Sequence, residues 1–330
     1  MDNRTGSTKT RLISLLKESG GYLSGQKLAG ELNVSRTAIW KNIKELEKEG
    51  FTFEAVKKKG YRLKDEADDM PPSFVQSALT TEEIGHPLFH FKEVTSTQEK
   101  IHTLAKEGKP HGTVVLADEQ TAGKGRRKRA WDSPKGSGVW MSLLLRPSFS
   151  PQRAPQVTIV AASALVKALR NFGISATIKW PNDVMIGDRK VSGILTEMRA
   201  EQDFVEYIVL GLGVNINQRE EDLPENLREK ATSIQRETGK KTSIGEVAVA
   251  VLHEFEQEYE RFIEEGFTCF ENDFSTIGYK VGEWVQVSTW KEPWLARIDK
   301  IEADGALSVT DESGKRERLY SAEILWNKHY

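Results

Sequence analysis

Cysteine is nearly absent: Cys269 is the single one among 330 residues. One cysteine excludes an internal disulfide and any multi-cysteine metal site. A nucleophilic cysteine needs an activating partner; the sequence points to none, so Cys269 reads as structural. Long apolar runs are missing too. The longest, 157–166, stops at Lys167, well short of the roughly 20 residues of a membrane span. The N-terminus is charged and has no apolar signal core. These absences lead to the expectation of a cytoplasmic protein with no membrane partner. The common nucleotide fingerprints are also lacking. Gly123-Lys124 is followed by glycine instead of Ser or Thr, so there is no P-loop. GLGVNIN at 211–217 has GxG without a third glycine or a following helix, which makes a poor Rossmann motif. Any ATP would be held by another arrangement.

What is present is an ordinary globular composition, 38% hydrophobic and 29% charged. The length exceeds one typical core and predicts two or three domains. The net charge of −2 is unevenly spread. Residues 1–64 hold 14 Lys and Arg against 7 Asp and Glu, a net of +7, which leaves 33 against 42, a net of −9. Such asymmetry points to a nucleic-acid module joined to something else.

The basic segment has the pattern of a helix-turn-helix with a wing. Leu12, Ile13, Leu15 and Leu16 form a helical apolar stripe. Ser24 is placed to cap a short helix carrying Leu28 and Leu32, and Asn33-Val34 makes the turn. Ser35 then caps a helix over 36–48 whose Ile39, Ile43 and Leu46 face inward, leaving Arg36, Thr37, Trp40, Lys41 and Lys44 outward. Ser35, Arg36, Thr37, Trp40 and Lys41 are the candidate DNA contacts, because a recognition helix offers its N-terminal residues to bases and phosphates. Trp40 fits the core as well as the interface, and the whole segment also fits a protein-binding three-helix module. Strand signals at 51–56 and 61–63 surround a basic KKKG hairpin.

Residues 65–73, DEADDMPPS, read as a linker. Strand signals at 113–117, 139–145, 176–180, 193–199 and 207–214 alternate with a helix at 157–172, and helical periodicity returns over 244–265. The last fifty residues are short strands between Gly, Pro and Asp turns. The predicted fold is a multidomain α+β chain: a winged helix-turn-helix at 1–65, a central mixed-sheet α/β domain at 74–272, and a small β-barrel at 277–330.

The chemically richest segment is AGKGRRKR at 122–129. Glycines let the backbone approach a ligand and cations neutralise phosphate or carboxylate, although such a run by itself also fits a solvated face or a nucleic-acid patch. Its context is TSTQ at 95–98, KWPNDVMIGDRKVSGIL at 179–195 and GLGVNIN at 211–217. In this order and spacing these motifs resemble the biotin–protein ligase family, and the N-terminal segment resembles its bifunctional form, the biotin operon repressor. One departure is Lys124, where the family loop usually has arginine.

The resemblance implies that biotin and ATP are substrates, with Mg²⁺, and that biotinoyl-AMP forms and passes biotin to a lysine of a biotin carboxyl carrier protein. It implies operator DNA as a second partner and a homodimer promoted by biotinoyl-AMP. It assigns biotin binding to Ser96, Thr97, Gln98, Gln120, Lys124, Gly125, Arg126 and Lys190. Lys190 and Arg126 are the catalytic candidates. Gly123, Arg129, Trp131, Asp183 and Asn215 are assigned to ATP and the adenylate, and no metal ligand is fixed. Each has a plainer reading. Thr95–Thr97 would start a helix, Trp131 would pack in the core, Asp183 would hold the Pro-Asn-Asp bend, and Lys190 would lie on the surface. Two other functions fit the sequence: a ligand-responsive transcription factor without catalysis, and a ligase whose N-terminal module does not regulate. Lipoate ligases share the chemistry, and KWPND with TSTQ favours biotin.

Overall fold

The computed structural model describes residues 8–48, 51–63, 75–76, 78–289 and 292–325. The chain divides into two units, Met1–Thr80 with Ser243–Val249, and Thr81–Thr242 with Ala250–Tyr330. The segment read as a linker, 65–73, lies outside the described residues.

The first unit holds α1 (Thr8–Ser19), α2 (Gly25–Leu32), α3 (Arg36–Lys48) and a hairpin of β1 (Phe53–Val56) and β2 (Gly60–Leu63). Ser24 Oγ accepts from Lys27 N at 3.1 Å, and Asn33 takes the left-handed conformation that ends α2. Ser35 Oγ accepts from Ala38 N at 3.1 Å and starts α3. Leu12, Leu16, Leu28, Ile39, Ile43 and Leu46 are all buried in one cluster. The hairpin is tied to the turn before α2, where Leu23 and Tyr61 exchange both backbone bonds at 2.8 Å. That approach requires glycine at 60, whose φ is +108° and whose Cβ would stand 2.0 Å from the Leu23 carbonyl oxygen.

The second unit is built on a seven-stranded mixed sheet. In chain order its members are β3 (Leu88–Phe91), β4 (Val114–Ala117), β5 (Gly138–Leu145), β6 (Thr177–Lys179), β7 (Asp183–Ile186), β8 (Arg189–Glu201) and β9 (Phe204–Asn215). They lie in the order β3-β4-β5-β9-β8-β7-β6, with β3 and β4 parallel and the rest antiparallel. Helix α4 (Thr97–Lys106) covers one face, where Ile101 and Ala105 meet Leu144, Tyr207 and Val209. Helix α5 (Ala154–Arg170) covers the other, touching it through the Thr158–Thr196 hydroxyl pair at 2.8 Å. The two faces follow from the strand alternation of β9: odd residues face α4 and even residues face α5.

Helices α6 (Ile234–Thr238), α7 (Ile244–Glu265) and α8 (Thr268–Ile277) follow. The predicted bounds of α7 coincide with the observed ones. The C-terminal strands are β10 (Trp284–Ser288), β11 (Trp294–Ile301), β12 (Leu307–Asp311), β13 (Arg316–Leu319) and β14 (Glu323–Leu325). They form an antiparallel sheet ordered β13-β12-β11-β10-β14 around Val285, Val287, Ile298 and Val309. The sequence reading missed β3, β7, β14, α6 and α8, each of ten residues or fewer.

Candidate functional site

The N-terminus of α4 meets the sheet where three glycines bare its surface. Gly211 and Gly213 alternate on β9, and Gly193 on β8 stands opposite Gly213, so all three face α4. Above them lies a cavity lined by Ser96, Thr97, Gln98, Gln120, Lys124 and Gly125. Arg126, Trp131 and Lys190 complete the candidate residues in its wall, joined by Ser142 and Asn182. Gly123, Arg129, Asp183 and Asn215 stand outside that lining.

The neutral wall is a connected hydrogen-bond network. Ser96 caps α4 by accepting from Gln98 N at 3.2 Å. The Gln120 carbonyl oxygen accepts from Thr97 N at 2.8 Å and from the Thr97 hydroxyl at 3.1 Å, and its amide donates to Ser133 Oγ at 2.8 Å. Thr97 also meets the Ser142 hydroxyl at 2.8 Å. Gln98 accepts from that hydroxyl at 3.0 Å and donates to the Leu195 carbonyl at 3.2 Å. A Cβ at Gly211 would lie 2.3 Å from Gln98 Oε1, so glycine makes room for this amide. Gln98 is therefore a strut across β8 and β9, whereas Gln120 keeps one amide hydrogen for another acceptor.

The glycine-rich segment folds back on itself. Gln120 bridges Ser133, Lys124 bridges Ala130, and Gly125 N donates to the Arg129 carbonyl at 2.8 Å. Arg127 and Lys128 at its tip have positive φ, 55° and 59°. A Cβ at Gly123 would meet the Trp131 carbonyl oxygen at 2.3 Å, so this glycine serves the loop's own packing. The Trp131 indole lies against the glycine floor: a Cβ at Gly213 would be 2.3 Å from its Nε1, and one at Gly193 3.0 Å from its ring. That Nε1 is buried and has no hydrogen-bond partner among the described residues. Lys190 Nζ stands 5.2 Å from the indole centroid, within cation–π range.

The cations divide into two sets. Lys190 Nζ is 2.7 Å from Asp183 Oδ1, an ion-pair contact without hydrogen-bond alignment, since Oδ1 makes no hydrogen bond among the described residues. Arg126 donates to Asn182 Oδ1 at 2.8 Å, and Asn182 donates to the Ile194 carbonyl at 3.0 Å. Burial lowers the Arg126 pKa and Asp183 opposes the shift. Arg129 instead donates to Glu323 Oε1 on β14 at 2.5 Å, with Arg127 3.4 Å from the same oxygen. Lys124 Nζ pairs with Glu99 Oε1 at 2.6 Å, and the ammonium lowers the Glu99 pKa. Asn215 is buried: its amide donates to the Thr232 carbonyl at 3.0 Å and its oxygen accepts from Gln218 at 3.1 Å.

Sequence reasoning missed Ser142, Asn182, Glu323 and the glycine trio. The GLG spacing at 211–213 was a usable signal, because alternate glycines on a strand bare one face. Asn182 lay inside a motif already singled out, while Glu323 joins a segment nearly 200 residues away and left no local trace.

In the first unit, Arg36, Thr37, Trp40, Lys41 and Lys44 all reach solvent, and Trp40 is 51% exposed, which removes it from the core. Ser35 acts through its cap. Lys44 pairs with Glu47 at 2.6 Å. On the wing, Lys59 and Arg62 lie 5.6 and 5.0 Å from the Tyr22 ring centroid. Among the described residues no helix is long and apolar enough to cross a membrane.

Comparison with known proteins agrees with this geometry. A family model described as the biotin/lipoate A/B protein ligase family matches residues 90–215, and an HTH domain model matches residues 8–62. The chain is 40% identical to the bifunctional ligase/repressor BirA of Bacillus subtilis (strain 168), covering 95% of this chain and 97% of that protein. It is 30% identical to the Escherichia coli (strain K12) bifunctional ligase/repressor BirA, covering 92% of each. Its structure resembles a biotin protein ligase from Aquifex aeolicus in complex with biotin and ATP, with a TM-score of 0.63, 30% identity, and 72% of this chain and 97% of that one covered. A glycine-floored cavity behind a basic loop, a helix-turn-helix with an exposed recognition face, and these likenesses along nearly the whole chain have one reading: the chain belongs to the family of bifunctional biotin–protein ligases and repressors.

Proposed function

We infer that this chain activates biotin with ATP, transfers it to a protein lysine, and represses transcription by binding operator DNA. The observation that carries the enzymatic reading is the cavity, where the neutral Thr97–Gln120–Ser142 network shares walls with Lys190 and Arg126. Biotin has an uncharged ureido ring at one end and a carboxylate at the other, so it needs both kinds of wall.

In the first step a biotin carboxylate oxygen attacks the α-phosphorus of ATP. The bond to the bridging oxygen breaks, and its electron pair leaves with pyrophosphate. Arg126, braced by Asn182, and Lys190, oriented by Asp183, offset the charge of carboxylate and phosphate as they approach. Trp131 supplies a plane for adenine. Asn215, fixed between Thr232 and Gln218, stands at the end of β9 as the polar partner for the base edge. In the second step an acceptor lysine amine attacks the biotinoyl carbonyl, AMP departs, and the amine proton passes to solvent. No enzyme group forms a covalent bond, so positioning carries the rate.

Mg²⁺ at nucleotide sites takes one or two carboxylates and the substrate's phosphates. Among the described residues no group of three or more His, Cys, Asp or Glu converges. Asp183, whose Oδ1 makes no hydrogen bond among the described residues, offers one carboxylate beside Lys190. That set fits an ion carried in by the nucleotide, which would shield its phosphate charge.

The acceptor is a biotin carboxyl carrier protein, and the cytoplasm is where it, ATP and operator DNA meet. The repressor is a homodimer promoted by biotinoyl-AMP. Supporting this, β7 pairs with β8 only as far as Gly193, so from Thr196 onward β8 offers a strand edge with no neighbour among the described residues. Incubation with biotin, ATP, Mg²⁺ and a biotin carboxyl carrier domain should add one biotinoyl group by mass. An unmodified carrier overturns the ligase reading. Operator titration and sedimentation with and without biotin plus ATP test the regulatory half; equal operator affinity under both conditions overturns it.

A further inference from the structure

Lys179 is a half-buried cation that the reaction described above does not use. It ends β6, directly across the ladder from Asp183 on β7. Among the described residues its ammonium has neither an ion-pair partner nor a hydrogen-bond acceptor. The carboxylates that act on it are Asp183 and Glu323, with Lys190 opposing them, while burial pulls its pKa down. Both carboxylates are engaged elsewhere, Asp183 with Lys190 at 2.7 Å and Glu323 with Arg129 at 2.5 Å. The same two carboxylates act on Arg126.

Lys179, Lys190 and Arg126 thus share the field of Asp183, and positive charge exceeds negative around it. Withdrawing a cation from water without a partner is costly. Such a group is accounted for when an anionic ligand completes its shell. Arg126 and Lys190 line the cavity and are the cations already assigned above to the biotin carboxylate and the α-phosphate. Lys179 lies outside that lining, one ladder step beyond Asp183, which itself pairs with Gly193 of the cavity wall, so a polyphosphate extending from the α-phosphate along that row would meet it. The group that gains most charge in the first step is the leaving pyrophosphate.

We propose that Lys179 binds the β- and γ-phosphates of ATP and then the departing pyrophosphate. As the α-phosphorus gains its bond to the biotin carboxylate, the bridging oxygen leaves with its electron pair, and the Lys179 ammonium offsets that charge. A lysine suits this role, since it acts as a point charge and needs no planar fork. The proposal rests on the reading of the chain as an ATP-dependent adenylating enzyme.

The test separates the two half-reactions in the full-length chain. With Lys179→Met, KM for ATP and the inhibition constant of inorganic pyrophosphate should both rise 10- to 100-fold, while biotin affinity stays at the wild-type value. Transfer from added biotinoyl-AMP to a carrier domain involves no pyrophosphate and should keep its rate. Lys179→Arg should recover most of the ATP affinity. Unchanged KM and pyrophosphate inhibition overturn the proposal, as does an equal fall in both half-reactions, which marks a structural role. A readout on the unmutated chain guards against misfolding of the variant: inorganic pyrophosphate should slow amine-selective labelling of Lys179, and equal labelling overturns the proposal. Wild-type protein that forms no adenylate would refute the underlying reading instead, and the labelling result would still decide the binding claim.

Discussion

A single methyl group placed on the floor of the cavity should separate folding from catalysis. Gly213 has an ordinary extended backbone, since its φ is not positive, so alanine there costs no backbone strain. The cost lies above the strand, where the new Cβ would stand 2.3 Å from Trp131 Nε1 and 2.5 Å from the adjoining ring carbon. Neither contact can persist. Overpacking by one methyl group typically costs about 1–3 kcal/mol. The indole is only half-buried and can tilt toward solvent, so stability should fall by about 1 kcal/mol or less. A ligand using the same floor has no such escape, and adenylate formation should fall roughly 10- to 100-fold, as about 1.4 kcal/mol per decade requires. Thermal melting together with pyrophosphate release at varied ATP would measure both. In a Trp131→Ala background the added loss from Gly213→Ala should shrink, because contacting residues couple. Wild-type turnover and KM in Gly213→Ala would refute the claim that indole and ligand share this floor.

Lys190→Ala should depress pyrophosphate release far more than biotin affinity measured by titration, because its charge matters most as charge shifts in the transition state. Glu99→Gln breaks a pair about half exposed on both sides; it should weaken biotin binding no more than about 5-fold, the range of about 0.2–1 kcal/mol for such pairs. Lys124 holds the Glu99 carboxyl below its ordinary pKa, so the pair contributes fully above that value and is lost only as pH falls through the lowered one; biotin titrations at pH 6 and 8 should show the same effect of Glu99→Gln. Trp40→Ala should reduce operator affinity in gel shifts without lowering the melting temperature, because the ring is exposed; a large loss of stability would put it back in the core.

What the sequence disclosed follows the range of the interactions concerned. Helix α3 was legible because its cap, Ser35, and its inward set, Ile39, Ile43 and Leu46, lie within twelve residues of one another. The bounds of α7 were legible for the same reason. Within the site, Ser96 and Thr97 were found through a motif, but the bonds of Thr97 to Gln120 and Ser142 depend on pairings 23 and 45 residues apart. Arg129 shows the limit most clearly. The resemblance assigns it to the nucleotide, and in the structure it also meets Glu323, 194 residues away, a contact that depends on the β10–β14 pairing. Lys179 sat in full view in a motif, but its lack of a partner among the described residues becomes visible only once both neighbouring carboxylates are seen to be engaged.

The lysine at 124, where the family usually has arginine, can now be weighed physically. Lys124 contributes its backbone to the bridge with Ala130 and its ammonium to one oxygen of Glu99 at 2.6 Å. Neither task uses a planar fork. The fork matters two residues on, where Arg126 donates from one nitrogen to Asn182 Oδ1 at 2.8 Å and from the other toward Ser321 Oγ at 3.5 Å. An ammonium at 126 would reach one of these partners and leave Asn182 or Ser321 without its donor. The same substitution is therefore mild at 124 and costly at 126. The reason lies in the hairpin geometry of the loop: its outer position meets a single carboxylate on α4, and its inner position must bridge the KWPND turn and the C-terminal sheet at once.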